Sequence, residues 1–342
     1  MKKHLSIRIS ALLLLFCAVM TAMSSCAKKS GGDGSGTSSS SGKKDGYTLG
    51  MGIEVTDSSV SGKAEVSLSS AVIIFDGDGK IVDCHINCAE NVMSVKDGKA
   101  GTGSYVTKRE AGTEYGMKSA SGIGKEWYEQ AQAFDDWARG KTRSDIEKMS
   151  LSQTGSAEDA DLKAGCTISV SSLQKAVLKA FDDKRARSFS TDSNPEIRFS
   201  AITDDTGTVD AKADKDGSAA MYTTFAALAV SGGRICTAII DTAEPNVPFS
   251  ADGAVGALEF SGTKRELGDS YGMSGASALG KEWYAQEEFF CDYIKGMTAD
   301  EVRAVPVGDD GKATEADLSA SCTIAVAGYI KAVDKALSDG ES

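Results

Sequence analysis

Gly124-Lys125-Glu126-Trp127-Tyr128 returns as Gly280-Lys281-Glu282-Trp283-Tyr284, about 155 residues further along a chain of 342. Working outward from this pair, Thr107-Lys108-Arg109-Glu110 returns as Thr263-Lys264-Arg265-Glu266, and Tyr115-Gly116-Met117 as Tyr271-Gly272-Met273. Downstream, Ala160-Asp161-Leu162 returns as Ala316-Asp317-Leu318, Cys166-Thr167-Ile168 as Cys322-Thr323-Ile324, and Lys175-Ala176-Val177 as Lys331-Ala332-Val333. Ordered matches at a nearly constant offset do not arise from composition, and the period is too long for a solenoid. The expectation is two whole α+β domains in tandem, residues 46–183 and 196–340, each folding independently. The polar segment 184–195, with Asn194-Pro195, reads as their linker.

Within a copy, a strand-rich first half precedes helices. Ala64–Leu68, Ala71–Phe75 and Lys80–Asn87 read as strands, the last two joined by a tight turn at Asp76-Gly77-Asp78-Gly79. That turn lacks the twelve-residue ligand pattern of a calcium loop. Trp127, Ala131, Phe134 and Ala138 share one face of a helix over Lys125–Arg139 ending at Gly140, and Lys281–Lys295 is its counterpart. Last helices are expected at Ser171–Phe181 and Ala327–Leu337. The tryptophans fall on apolar faces, which favours core packing over ligand stacking.

Lys2, Lys3 and Arg8 precede an apolar run from Ile9 to Met20, and Met23-Ser24-Ser25-Cys26 follows. This is the layout of a secretory signal, shorter than a membrane span. The small residues before Cys26 resemble the lipobox of bacterial lipoproteins. The resemblance implies that residues 1–26 are leader and lipobox, with Cys26 diacylated as the mature N-terminus. The alternative is an ordinary signal peptide cut near the same point. Residues 27–45, nearly all Gly, Ser, Lys and Asp, read as a flexible stalk. The expected location is the outer face of the cytoplasmic membrane, or the outer membrane where a cell has one.

The formal net charge is −12. Because the leader is basic, the body is more acidic still, which repels phosphate backbones and argues against nucleic acid as a partner. Beyond the leader there is one histidine, His85, a strand residue with no counterpart in the second copy. Histidine-dependent hydrolysis and multi-histidine metal sites lack material here. Cys84, Cys88, Cys166, Cys236, Cys291 and Cys322 include only one equivalent pair, Cys166 and Cys322, so no disulfide framework is common to both copies. Buried free thiols are expected.

The stretch Asp161–Ser169, followed by a helix containing Lys175-Ala176-Val177, resembles the FMN-binding domain family. Its signature runs Asp-x-x-Ser/Thr-Gly-Ala-Ser/Thr-x-Ser/Thr, and its final hydroxyl carries flavin through a phosphoester. Ser121-Gly122-Ile123-Gly124-Lys125 and Ser277-Ala278-Leu279-Gly280-Lys281 are similar to the family's glycine turn. The resemblance implies attachment of FMN at Ser169, with Cys166, Thr167, Gly122, Gly124 and Lys125 around it, and Thr323, Gly280 and Lys281 in the second copy. It also implies a flavin transferase and redox partners as interacting proteins. Ala164 and Cys166 depart from the signature, as do Ser321 and Cys322. Ala325 stands at the second copy's acceptor position and has no oxygen to esterify. Two functions follow: an extracytoplasmic flavin-carrying electron-transfer lipoprotein, without catalytic residues of its own, or a surface binding or structural lipoprotein that keeps the fold without cofactor. In the second of these, Cys166-Thr167-Ile168 merely caps a helix.

Overall fold

The computed structural model describes residues 46–338; Cys26 and the leader and stalk lie outside them. The first half opens with β1 (Tyr47–Asp57), β2 (Lys63–Phe75), β3 (Ile81–Lys96) and β4 (Lys99–Ser104). It continues through α1 (Lys108–Ala111), α2 (Trp127–Ala138), α3 (Arg143–Glu147), α4 (Ala160–Lys163) and α5 (Ser171–Phe181), then β5 (Arg187–Phe189). The second half comprises β6 (Glu196–Asp204), β7 (Gly217–Ala220), β8 (Tyr222–Ser231), β9 (Arg234–Ala243) and β10 (Asn246–Phe249). Its helices are α6 (Lys264–Leu267), α7 (Trp283–Tyr293), α8 (Ala299–Arg303), α9 (Ala316–Ser319) and α10 (Ala327–Ser338). The class is α+β, with every strand pair antiparallel. The sheets run β4-β3-β2-β1-β5 and β6-β8-β9, with β10 and β7 forming a separate ribbon.

The strands are longer than the local pattern predicts. Ser69 and Ser70 do not interrupt β2, because both are buried and Ser70 Oγ donates to the Asn87 carbonyl at 3.5 Å. Both faces of these sheets are covered, so alternate residues serve different cores. Val66, Leu68, Val72 and Ile74 of β2 enter one cluster, while Ala71 and Ile73 enter another beneath α2 and α5. In β8, Phe225, Ala227 and Ala229 join the same central cluster as β2, and Ala226, Leu228 and Val230 face the second half's helices. Double burial is why these strands read as apolar runs rather than clean alternations. The turn at Asp76–Gly79 forms as expected: Asp76 Oδ1 accepts the N–H groups of Asp78 and Lys80, each at 3.0 Å.

The central cluster belongs to both halves, joining Leu49, Ile53 and Val66 to Phe199, Phe225 and Phe249. The segment read as a linker is part of this assembly. Ser188 pairs with Thr48 of β1, Phe189 packs on Tyr47 with ring centroids 5.6 Å apart, and the Arg187 guanidinium pairs with Asp292 in the other half. The halves also exchange equivalent contacts. Lys179 of α5 pairs with Glu266 at 3.0 Å and donates to the Ile53 carbonyl at 2.7 Å. Reciprocally, Lys335 of α10 pairs with Glu110 and donates to the Ala201 carbonyl at 2.9 Å.

Glycine lets α5 lie directly on β1. A Cβ on Gly52 would stand 2.1 Å from the Ala176 carbonyl oxygen. In the second half Ser200 occupies the matching place, and its hydroxyl donates to the Ala332 carbonyl at 2.6 Å.

Candidate functional site

The repeated Thr-Lys-Arg-Glu segment closes the end of the sheet onto α2 and α7. Thr107 and Glu110 form a capping box on α1, and Thr263 and Glu266 do so on α6. Lys108 Nζ lies 5.0 Å from the Tyr115 ring centroid and 5.6 Å from that of Trp127, and pairs with Glu90 at 2.6 Å. Lys264 repeats this between Tyr271 and Trp283, pairing with Glu244 at 2.7 Å. Both tryptophans are buried in this packing.

The arginines point inward. Arg109 pairs with Asp135 of α2, and Asp135 Oδ1 accepts the N–H of Ile86 at 2.9 Å. Burial pushes the Asp135 carboxyl up to about 7, against the pull of Arg109 and the Ile86 N–H. Arg265 pairs with Glu287 of α7 at 2.7 Å, and Glu287 Oε1 accepts the N–H of Ile240 at 2.9 Å. Each acid also receives a buried thiol, Cys84 in the first half and Cys291 in the second. Burial raises both thiols well above their ordinary range.

The two segments that carry the family resemblance are far apart in the chain and adjacent in space, joined by one buried side chain. Gln130 of α2 donates through Nε2 to Ser121 Oγ and the Lys125 carbonyl, both at 3.1 Å. Its Oε1 accepts the Thr167 N–H at 2.8 Å and the Thr167 hydroxyl at 3.1 Å. Gln286 does the same in the second half, to Ser277 Oγ, the Lys281 carbonyl and both groups of Thr323. Local sequence reading passed over both glutamines, although they occupy matched positions two residues after the repeated Trp-Tyr pairs. Gly124 and Gly280 adopt φ +63° and +62°, the left-handed region that the turn requires. Gly122 is exposed, and Lys125 is half-buried.

Cys166 and Cys322 do not line this surface. They are buried in the cores under the helices, where burial pushes each thiol up to about 11. This corrects the grouping of Cys166 with cofactor contacts: strand-like alternation sends Cys166 and Ile168 inward, and leaves Ser169 outside. All six described cysteines are free. His85 is buried in β3 beside Phe199, and burial holds its imidazole neutral.

Ser169 is exposed just before α5, its Oγ 3.4 Å from that of Ser171. Gly155 faces it: a Cβ there would come within 2.4 Å of Ser169 Oγ, so glycine clears the space around the hydroxyl. An accessible serine oxygen at the N-terminus of an eleven-residue helix fits attachment of a phosphate-bearing group. Ala325 holds the same place in the second half and does not fit.

No protein-family profile matches the chain, and no solved structure matches it. Among curated proteins, chlorophenol reductase of Desulfitobacterium hafniense is 28% identical over 97 residues, covering 24% of this chain and 30% of that protein. The chain therefore spans under a third of that relative's length.

Proposed function

We propose that the chain is an extracytoplasmic lipoprotein, held at the membrane through Cys26, whose first repeat carries FMN on Ser169 and takes part in electron transfer. The observation that supports this reading best is the Gln130 clasp, which sets the Ser121–Lys125 turn against the loop leading to the exposed Ser169 hydroxyl. In this reading Ser169 is the attachment point, Thr167 orients the loop through Gln130, and Gly122, Gly124 and Lys125 border the group. FMN would supply one- and two-electron chemistry, and the chain supplies position and surroundings. A transferase would have to make the phosphoester. The partial likeness to a protein named as a reductase agrees with a redox role.

A second reading has its own observation. The residues repeated in both halves cap helices, fill cores and pair buried charges, and Ala325 removes the acceptor from the second half. A fold kept for binding or for structure needs only those roles.

One experiment separates the two. The chain is produced beside a flavin-attaching enzyme of proven activity, and its intact mass and visible spectrum are measured. The first reading expects one covalent FMN, stable to denaturation, mapping to the peptide with Cys166–Ser169 and lost in Ser169→Ala. A colourless protein of unmodified mass leaves the second reading. The anchor is tested separately: labelled fatty acid should enter the wild type and not Cys26→Ser.

A further inference from the structure

A cavity of about 210 Å³ lies between the two repeats, walled by Met51–Ile53 of β1, the end of α5 with the chain after it, Asp241 of β9 and the start of α6. Asp241 is only 5% exposed. Its Oδ1 accepts the N–H groups of Thr242 at 2.7 Å and Arg265 at 3.1 Å. Yet among the described residues no ammonium or guanidinium nitrogen lies within 4.0 Å of its carboxylate. The nearby Arg265 guanidinium is engaged elsewhere, by Glu287 at 2.7 Å and Asp183 at 3.4 Å. In the first repeat the matching position is the neutral Asn87, whose Oδ1 accepts the N–H of Arg109. The second repeat has thus placed a carboxylate where an amide suffices for the backbone contact, with the Arg265 guanidinium nearby but outside ion-pair distance and committed to other acids. A buried carboxylate without a cation is costly unless something else neutralises it.

The other side of the cavity carries basic and acidic side chains together, and its acids Asp182 and Asp183 are taken up by Arg143 at 2.7 Å and Arg265 at 3.4 Å. Lys179 is spent on Glu54, Glu266 and the Ile53 carbonyl. Lys184 is exposed and has no ion pair among the described residues. Arg185 lies 3.8 Å over the Tyr284 ring and donates Nη1 to the Arg265 carbonyl, and its nearest carboxylate, Glu288, is 3.8 Å away. Among the described residues no group of three His, Cys, Asp or Glu side chains is arranged to hold a metal ion. The volume is below the ~300 Å³ at which drug-sized pockets begin.

We propose that this cavity binds a small amino-acid zwitterion, its ammonium on Asp241 and its carboxylate toward Lys184 and Arg185. A primary ammonium brings a close positive charge to Asp241 and donates to the oxygen lone pairs that Thr242, Arg265 and the Thr263 hydroxyl leave over. The carboxylate meets Lys184, which has no ion pair among the described residues, and Arg185, whose one acidic partner among them, Glu288, is 3.8 Å away. The site is separate from Ser169 and does not depend on flavin.

The test uses the full chain in detergent, titrated with glycine, β-alanine and γ-aminobutyrate, and with methylammonium and acetate as single-charge controls, read by calorimetry and thermal shift. At least one zwitterion should bind saturably and raise Tm, with methylammonium and acetate at least tenfold weaker. Asp241→Asn, which copies Asn87, should weaken the zwitterion by at least tenfold. Lys184→Glu, at an exposed position, should weaken it while leaving methylammonium unchanged, and decides the matter if Asp241→Asn does not fold. No saturable zwitterion, equal binding by Asp241→Asn, or methylammonium binding as tightly as the zwitterion would overturn the proposal.

Discussion

Asp135 and Glu287 stand one helical turn apart on equivalent helices, yet each neutralises the equivalent buried arginine and accepts an N–H from the equivalent strand. The first repeat has Ala131 where the second has Glu287, and Asp135 where the second has Cys291. Positions four apart share a helix face, and the extra methylene of glutamate spans the added turn. Both arginine side chains are 5% exposed, so removing the acid strands a charge.

Asp135→Cys should therefore destabilise the chain by ~3–5 kcal/mol, the usual cost of breaking a buried pair from one side. Adding Ala131→Glu rebuilds the second repeat's arrangement and should recover most of the loss. Urea denaturation of the single and double variants measures this. Lack of recovery would mean that the acid's position, and not only its charge, is required.

Gln130→Ala removes the link between the turn at Ser121–Lys125 and Thr167. Because Gln130 is fully buried, the loss should be ~1–3 kcal/mol. Hydrogen exchange should rise at Thr167 and over Ser121–Lys125 beyond the global change. An effect spread evenly over the chain would contradict a local clasp.

Asp241 gives a pH dependence of definite sign. Burial pushes its carboxyl up to about 7 from an ordinary 3.8, with Arg265 and Thr263 opposing. The native state then holds the proton more tightly than the unfolded chain. This group's stabilisation is complete below about pH 4 and falls as pH rises toward 7. Relative to Asp241→Asn, the wild type should lose up to ~4 kcal/mol between pH 4 and 8. A difference that does not vary with pH would show that the carboxyl is not shifted.

The shared core predicts that the repeats are not separable. Residues 46–191 or 192–342 alone would expose Leu49 and Ile53, or Phe199 and Phe225, and lose the exchanged pairs Lys179–Glu266 and Lys335–Glu110. Each fragment should aggregate or self-associate, and mixing should restore cooperative melting. Size-exclusion chromatography with light scattering and thermal melts decides it. A monomeric, cooperatively melting first repeat would show that the sequence-based expectation of independent domains holds.

The repeat, the α+β class and the two long helices of each copy were legible in the sequence because they rest on local regularities. Trp127, Phe134 and Ala138 repeat at helical spacing, Gly140 and Gly296 end their helices at φ +79° and +78°, and Asp-Gly pairs turn a hairpin. β1 was not legible: its Gly50 and Gly52 are poor strand formers, accepted only because α5 lies close against them. The segment after α5 read as a linker because its polarity is local, whereas the pairing of Ser188 with Thr48 is not. Cys166 and Ser169 are neighbours in sequence, and only the packing of the loop against the core sends one inside and leaves the other in solvent. The Gln130 clasp, the migrated acid and the cavity beside Asp241 depend on residues from distant parts of the chain meeting in space. Periodicity records which face of an element is buried, but not which other face it is buried against, and that pairing belongs to the tertiary structure alone.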